Sequence, residues 1–481
     1  MAYLELNDLD EDGFSLMDEQ NKNSKLSELK KNTLIIGIAT FGSKAISFIL
    51  APLYSYYLST AEYGTMDLVI TTASLLMPIL MEDVYESVFR FTSDPNEDNT
   101  KVLTNCSLIA LIGTIIGALL IFPISLVYQN LSVILIVYLY IVIDGFTLIF
   151  SWYERGCGKI KVFALSGVIN SAFQLAFTFL FIVLLRYGLT GWYIGFLCAK
   201  VITFLYLFIN VRPFKVVRKQ HIDKIYQKRL LNHCIPLMPT TIMWWIMNAS
   251  DRYVIGFFIG MTANGIYAVS NKIPSILNAL ESVFYQAYQT TAINSIDDKE
   301  RNNFYSKIFN NYFVFMMLGY IGILVIARPV IIYLFDVSYS EAWLYIPPLL
   351  AGAVAHAISG NLGSYYVLFY QTKGALLTSF WGALTNILLN LILIPHFGLM
   401  AAALTTLTGY MVMFFLRWND IKKFITIKLE EKRILTMLLV SIVQTALYFW
   451  NSWIGIGIMA VVGCFALTLN KDMLRRLVKR K

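Results

Sequence analysis

Four basic residues of this chain stand inside apolar runs long enough to cross a bilayer: Lys44, Lys200, Arg252 and Lys272. A cation in a membrane span is costly and is kept where a bundle interior or a wet cavity receives it. Lys44 is the most central. It lies midway along Gly37–Pro52, too far from either interface to snorkel, on a thin polar stripe with Thr33, Gly37, Thr40 and Ser47. Its ammonium can replace water around a phosphate, or it can close a structural salt bridge to an acid on the second or fourth apolar run. Lys200 reads equally as a packing ion pair and as a cavity group. Arg252 reads equally as a second phosphate contact and as half of an Asp–Arg latch between helices.

The eighth apolar run carries the longest polar stripe. Tyr267, Asn271, Ser275, Asn278, Ser282, Tyr285 and Gln289 step by three or four residues, which keeps them on one helical face. Interhelical hydrogen bonding needs fewer polar positions than this. The stripe therefore reads as one wall of a polar route, with Asn271, Asn278 and Tyr285 as substrate contacts beside the four cations. Carboxylates supply the complementary chemistry. Glu82, Asp83 and Asp251, in that order, are candidates to take up a coupling proton or sodium ion, because a buried acid that changes charge during a cycle is a natural cation site. Glu86 and Arg90 are spaced for an i,i+4 pair. Asp144 is a buried acid with no assigned role, and His356 is the deep histidine, read as a satisfied polar residue. The five cysteines share no metal or redox spacing and read as small apolar packers, so neither a metal site nor a bound cofactor is expected.

These side chains require a membrane scaffold. The chain is 57% hydrophobic and 14% charged, against about 45–50% and about 25% for soluble domains, with a mean hydropathy of +0.63. At about 20 apolar residues per span, the pattern predicts fourteen helices: 34–57, 66–89, 102–128, 131–151, 163–185, 189–211, 234–258, 266–290, 307–330, 343–369, 375–395, 398–416, 433–451 and 453–470. Of the 38 lysines and arginines, all but six fall on loops and tails on the side of the N-terminus, Arg417 to Arg433 among them. Arg186 and Arg328 lie opposite, and the four span cations make up the rest. That asymmetry predicts that both termini are cytoplasmic. It also makes the net charge of +8 a property of membrane loops, with no nucleic acid needed.

The first 24 residues are polar and acidic and lack the apolar core of a signal peptide. The expected layout is an acidic disordered tail over 1–31, an N-terminal lobe of six helices over 32–211, and a basic cytoplasmic linker over 212–233. A C-terminal lobe of six helices over 234–418, two further helices over 419–470 and a basic tail over 471–481 complete it. Thr60-Ala-Glu-Tyr-Gly64 and Thr262-Ala-Asn-Gly265 occupy matching places between the first and second spans and between the seventh and eighth. They suggest two lobes related by a parallel pseudo-twofold repeat, with the substrate site between them. Pro78, Pro236, Pro239 and Pro274 are positioned to bend the helices at that interface.

Four stretches resemble one transporter family. They are Lys31-Asn32 with Gly42-Ser43-Lys44, the run Pro52 to Ser59 with Glu62-Tyr-Gly64 and Asp67, the run Glu86 to Phe91, and the series Pro236 to Pro239, Ser250 to Tyr253 and Gly265 to Ile273. In order and spacing the chain is similar, over about residues 31–470, to the polysaccharide and oligosaccharide flippases of the multidrug/oligosaccharidyl-lipid/polysaccharide exporter superfamily. The resemblance implies a transporter and not an enzyme, resident in a bacterial cytoplasmic membrane. Its implied cargo is an undecaprenyl-pyrophosphate-linked oligosaccharide moved to the outer leaflet for O-antigen, capsule or exopolysaccharide assembly. Partners implied are membrane lipids and the polysaccharide polymerase and chain-length proteins. A peptidoglycan lipid-precursor flippase and a cation-coupled multidrug exporter are the alternatives within the superfamily. A glycan polymerase or acyltransferase would need catalytic groups on an outer loop. The longest such loop, near Val330–Ala342, has only Asp336 and Glu341 as charges.

The orientation is open to direct measurement. In a cysteine-free background, a cysteine at position 62 is expected to react with an impermeant thiol reagent in intact cells and one at position 220 is not. The reverse pattern overturns the topology.

Overall fold

The computed structural model describes residues 35, 37–81, 83–127, 131–236, 238–281, 301–369, 372–450 and 453–471. They form a bundle of α-helices, and no strand occurs among them. Before the basic linker come α1 (Gly37–Tyr57), α2 (Thr60–Leu80), α3 (Val84–Thr92), α4 (Asn99–Val127), α5 (Leu131–Gly156), α6 (Ile160–Thr178) and α7 (Gly188–Val211). The linker contains α8 (Lys224–Cys234). After it come α9 (Met238–Phe258) and α10 (Met261–Ser270), which continues past Asn271 as helix over 272–281. The last elements are α11 (Arg301–Leu334), α12 (Ile346–Leu368), α13 (Thr372–Ile421), α14 (Glu431–Phe449) and α15 (Trp453–Leu469). Ten helical stretches among the described residues are long and apolar enough to cross a membrane. The protein is an all-α polytopic membrane protein.

Local chemistry sets several boundaries differently from the hydropathy pattern. The expected turn at Leu58–Gly64 is already helix from Thr60. Ser59 and Glu62 form a reciprocal capping box, which satisfies backbone donors that no preceding turn could reach. The expected second span, 66–89, is two helices. Pro78 removes a backbone donor near the end of α2, and Asp83 takes a left-handed conformation (φ 50°) before α3 starts. The eleventh and twelfth expected spans are the two arms of α13. Gly398, at φ 66° and ψ −148°, reverses the chain in a region open essentially to glycine. The arms then pack at Gly382 against Gly409. Arg417 belongs to the second arm and is 2% exposed, so it is a buried helix residue and not part of the basic loop.

The main core joins the two halves of the chain. Leu50 and Tyr54 of α1, Tyr63 and Met66 of α2, and Leu277 after α10 share one cluster with α11 and α12. A second cluster holds α3, α4, α5 and α7 with Tyr226 and Leu230 of α8. In lipid, such contacts stabilise by close packing, since the hydrophobic drive between helices is small.

The two glycines singled out by the short repeat meet each other. A Cβ on Gly64 would clash with the Met261 carbonyl and lie 2.7 Å from the Gly265 nitrogen, and one on Gly265 would clash with the Thr60 carbonyl. Asn264 Nδ2 donates to the Gly64 carbonyl at 2.8 Å. Helices α2 and α10 thus touch backbone to backbone, which only small residues permit. Gly64→Ala is expected to hold these helices apart. Alkylation of a cysteine at position 268, buried at present and one turn further along α10, should then rise. Unchanged protection at 268 would count against this contact as the seal.

Candidate functional site

Contacts between the two halves of the chain follow α2 inward from its capped end. The backbone amide of Asp336 donates to Ser55 Oγ at 3.1 Å, and Tyr63 packs edge-on to Tyr339. Below the glycine contact, Arg252 Nε of α9 donates to Asp67 Oδ2 of α2 at 2.6 Å. One turn deeper the Thr72 and Tyr253 hydroxyls lie 2.6 Å apart. The Trp245 indole donates to the Thr71 carbonyl and to Ser74 Oγ, both at 3.0 Å. Tyr63, Asp67, Thr71 and Ser74 follow one another at steps of three or four residues, the spacing that keeps one helical face turned to the other half.

Arg252 is therefore committed to protein groups. Besides Asp67, its Nη1 donates to the Asn248 carbonyl at 2.6 Å and lies 3.3 Å from Asp251 Oδ1. Asp251 is 2% exposed. It also accepts hydrogen bonds from the Tyr267 hydroxyl, from Thr406 at 3.4 Å and from the Arg252 amide at 2.9 Å. Beside it, Ser250 donates to Asn386 at 3.0 Å, Asn390 donates to Asn386 at 3.2 Å, and Thr405 donates to Asn390. Lys272 lies within the electrostatic reach of Asp67 and Arg252. Of the two readings of Arg252, this geometry corresponds to the latch, and Asp67 is the partner that sequence reasoning did not assign.

Lys200 has a partner within its own half. Its ammonium lies 2.5 Å from Asp144 Oδ1, and Tyr140 donates to the same carboxylate at 3.1 Å. Asp144, which had no role in the sequence, is thus the counter-ion of Lys200 and not of Lys44. The pair joins α7 to α5 away from the contact between halves.

Lys44 stands apart. Its side chain is exposed, no carboxylate among the described residues pairs with it, and the charge that acts on it is Glu281, at the end of the 272–281 helix. Ser275 and Asn278 on that helix are exposed as well, while Tyr267 and Ser270, which precede it in α10, are buried. The polar stripe therefore changes along its length from a sealed contact to an open wall. Asn271 lies between and donates to the Tyr267 carbonyl at 2.9 Å. Tyr285, Ser282 and Gln289 lie outside the described residues, as does Glu82. At the end of the 272–281 helix, Glu281 Oε2 is 3.2 Å from His356 Nδ1 of α12. His356 is flanked edge-on by Trp244 and Tyr410. The adjacent aromatics Trp244 and Trp245 were visible as a dipeptide inside an apolar run, but nothing in the sequence told which would face the other half.

Two further charges lie inside the protein. Asp83, at the break between α2 and α3, is 1% exposed, and neither carboxylate oxygen has a hydrogen-bond partner of normal geometry among the described residues. Its titratable neighbours are Tyr85 and Glu86. Glu86 feels Arg155 of α5, and no Glu86–Arg90 bridge forms among the described residues. Arg417 is held by neutral oxygens, donating to Thr378 at 3.1 Å, to the Ser359 carbonyl at 2.6 Å and to Ser379 at 2.9 Å. Its guanidinium lies 5.4 Å from the Trp244 ring centre. No group of three or more metal-ligating side chains occurs among the described residues.

The helical arrangement is shared with known proteins. Residues 29–293 match the family described as polysaccharide biosynthesis protein. The chain belongs to that family. Its fold is similar to the lipid II flippase MurJ in an inward closed conformation, with a TM-score of 0.71 and 16% identity over 93% of this chain and 100% of that one. It is also similar to an inward-facing multidrug resistance MATE transporter of the MOP superfamily, with a TM-score of 0.57 and 13% identity over 82% of this chain and 94% of that one. For an outward-facing MATE transporter the values are 0.56 and 15%, over 85% and 96%. None of the curated proteins searched by sequence matches this chain. The fold is one that a lipid flippase and multidrug transporters also adopt.

The Lys200–Asp144 assignment has a thermodynamic signature. Removing one member strands a buried charge at a cost of about 3 kcal/mol or more, whereas replacing both with apolar residues is close to neutral. Lys200→Met is expected to lower the unfolding midpoint in detergent, and Lys200→Met with Asp144→Leu to restore it. Additive losses in the double variant would reject the pairing.

Proposed function

We propose that the protein flips undecaprenyl-pyrophosphate-linked oligosaccharides from the cytoplasmic to the outer leaflet of a bacterial cytoplasmic membrane by alternating access. The observation that carries this reading is Lys44: a mid-span ammonium, exposed and without an acid partner among the described residues. Lys200 and Arg252 are satisfied by carboxylates and are thereby less available to cargo. A pyrophosphate is the group whose removal from water most needs a fixed cation. At ~4 Å and an effective dielectric near 20, one such charge pair is worth about 4 kcal/mol before desolvation. Trp244, Asn248, Asn278 and Ser275 offer stacking and hydrogen-bonding surface to a sugar chain.

The cycle follows from where the halves touch. Residues 32–211 and 234–418 act as lobes that rock about the linker. With α2 sealed on α10 at Gly64 and Gly265, the cargo enters at the basic, cytoplasmic end. Opening of the outer side separates Asp67 from Arg252. The released Arg252 and Lys272 then meet the phosphates leaving Lys44. Asp251, which shares its carboxylate with Arg252, Tyr267 and Thr406, is the coupling site for a proton or sodium ion, since losing Arg252 leaves it a buried acid that needs a new cation. Asp83 offers a second such site at the inner end. The likeness to a lipid II flippase supports a second reading, a peptidoglycan lipid precursor as cargo. It shares the prenyl pyrophosphate and differs in the sugar.

Lys44→Ala is expected to insert at normal abundance and to lose surface polysaccharide, with about thirtyfold weaker cargo binding if one charge-assisted contact worth ~2 kcal/mol is removed. Lys44→Arg should keep part of the export. Membrane abundance and surface polysaccharide are measured together. Full export by a well-expressed Lys44→Ala protein would remove the phosphate-binding role. Loss of peptidoglycan synthesis with intact surface polysaccharide would favour the second reading.

A further inference from the structure

Between α7 and α9 the chain is unusually basic. Arg212 to Arg229 contains seven lysines and arginines and one acid, Asp223. The segment is held in place by specific bonds. Lys101 of α4 lies 2.8 Å from Asp223, whose carboxyl is held below the usual range by that hydrogen bond. Asp223 also caps α8 by accepting from the amides of Ile225 and Tyr226. Asn105 donates to the His221 carbonyl at 2.8 Å, and Arg229 lies 2.7 Å from Glu97. On α8, Tyr226, Leu230 and Cys234 are buried at i, i+4 and i+8, and Ser87 of α3 donates to the Leu230 carbonyl at 3.1 Å.

This mooring leaves the other surface without a protein partner among the described residues. Phe214 is 88% exposed and Ile225 is 84% exposed. Exposed cations stand on either side of both in the sequence: Arg212 and Lys215 around Phe214, Lys224 and Lys228 around Ile225. The Phe214 ring packs edge-on against Phe208 at 5.3 Å. Phe208 belongs to the last turns of α7, a helix apolar enough to span the membrane, so Phe214 lies at the level where that span leaves the hydrocarbon. Large apolar side chains set among cations at this depth are what an interfacial segment needs: the apolar groups enter the headgroup–acyl boundary and the cations meet anionic lipid.

We propose that the linker is a lipid-docking surface that binds anionic phospholipid headgroups of the leaflet at the basic end of the bundle, with Phe214 and Ile225 inserted beside them. Lipid bound there would fix α8, and through Leu230 and Ser87 it would restrain α3.

The test uses the full chain in nanodiscs of phosphatidylcholine, with or without phosphatidylglycerol. An environment-sensitive fluorophore is attached at Ile225→Cys, with the five native cysteines replaced. Its emission is expected to shift to the blue, and brominated acyl chains are expected to quench it, more strongly when phosphatidylglycerol is present. Lys215→Gln, Arg218→Gln and Lys219→Gln together should reverse both effects. Phosphatidylglycerol co-purified from mixed membranes with unlabelled protein gives a second reading, expected to fall by about fivefold per charge removed and also in Phe214→Ser. Three results overturn the proposal. One is equal quenching with and without phosphatidylglycerol, and another is lipid retention unchanged in both variants. The third is a label that stays in water in nanodiscs yet is shielded in native membranes, which would assign the surface to a protein partner.

Discussion

A fixed charge in hydrocarbon must be compensated, and this protein's interior is arranged around that requirement. Lys200 has Asp144, and Arg252 has Asp67 with Asp251. Arg417 has no carboxylate bridge among the described residues and is instead wrapped by a carbonyl, two hydroxyls and an indole face. Each solution has a different mechanical consequence. The Lys200 pair ties α5 to α7 inside one half and can stay closed through a transport cycle. The Arg252 pair crosses between halves, so any motion that parts α2 from α9 must break it and supply substitutes. Lys44 and Lys272 have no carboxylate bridge among the described residues; Lys44 is exposed, whereas Lys272 is half-buried near Asp67 and Arg252.

The close approach of Gly64 and Gly265 makes the crossing pair possible. Because neither residue has a Cβ, α2 and α10 come near enough for Arg252 to reach Asp67 at 2.6 Å and for Trp245 to reach the Thr71 carbonyl. The contact combines these polar and backbone pairs with apolar packing, since Tyr63 and Met66 of α2 share a buried cluster with Ala268, Val269 and Ile273 of the other half. Parting the helices therefore breaks the polar pairs and uncovers apolar surface together, and packed interfaces of this kind tend to have two discrete arrangements. The same helices carry their open, polar surface further in, at Ser275 and Asn278. Sealing at one end and opening at the other are therefore two properties of a single stripe.

Fold and cargo are separate questions here. A TM-score of 0.71 at 16% identity means that the backbone arrangement outlasts nearly all side-chain identity, as expected when helix packing in lipid demands only small residues at crossings and apolar ones elsewhere. Polar side chains such as Asn248 and Asn278 are exposed, where packing imposes least. The function of such a fold is therefore set by its site.

The sequence by itself determined the class of structure and its polar skeleton. Long apolar runs have one stable form in lipid, the helix, because every backbone group must be satisfied within the segment, so the all-helical membrane class was legible from hydropathy, while the break between α2 and α3 was not. Lys44 stood out for the same reason. The 3.6-residue period was enough to align Tyr267, Asn271, Ser275 and Asn278, and the two glycine-containing motifs could be picked out by their similar composition. Hydropathy could not reveal that Gly64 and Gly265 touch, that Asp67 belongs to Arg252, or that Asp144 belongs to Lys200. Those pairings join residues 201, 185 and 56 positions apart, and a charge in sequence carries no record of which distant helix will face it. Arg417 was mistaken for a loop cation because its positive charge resembles those of its neighbours, and only its cage of hydroxyls shows that it is core. Tertiary structure decided the partners, because compensation of a buried charge depends on distance and desolvation, and both exist only once the helices have packed.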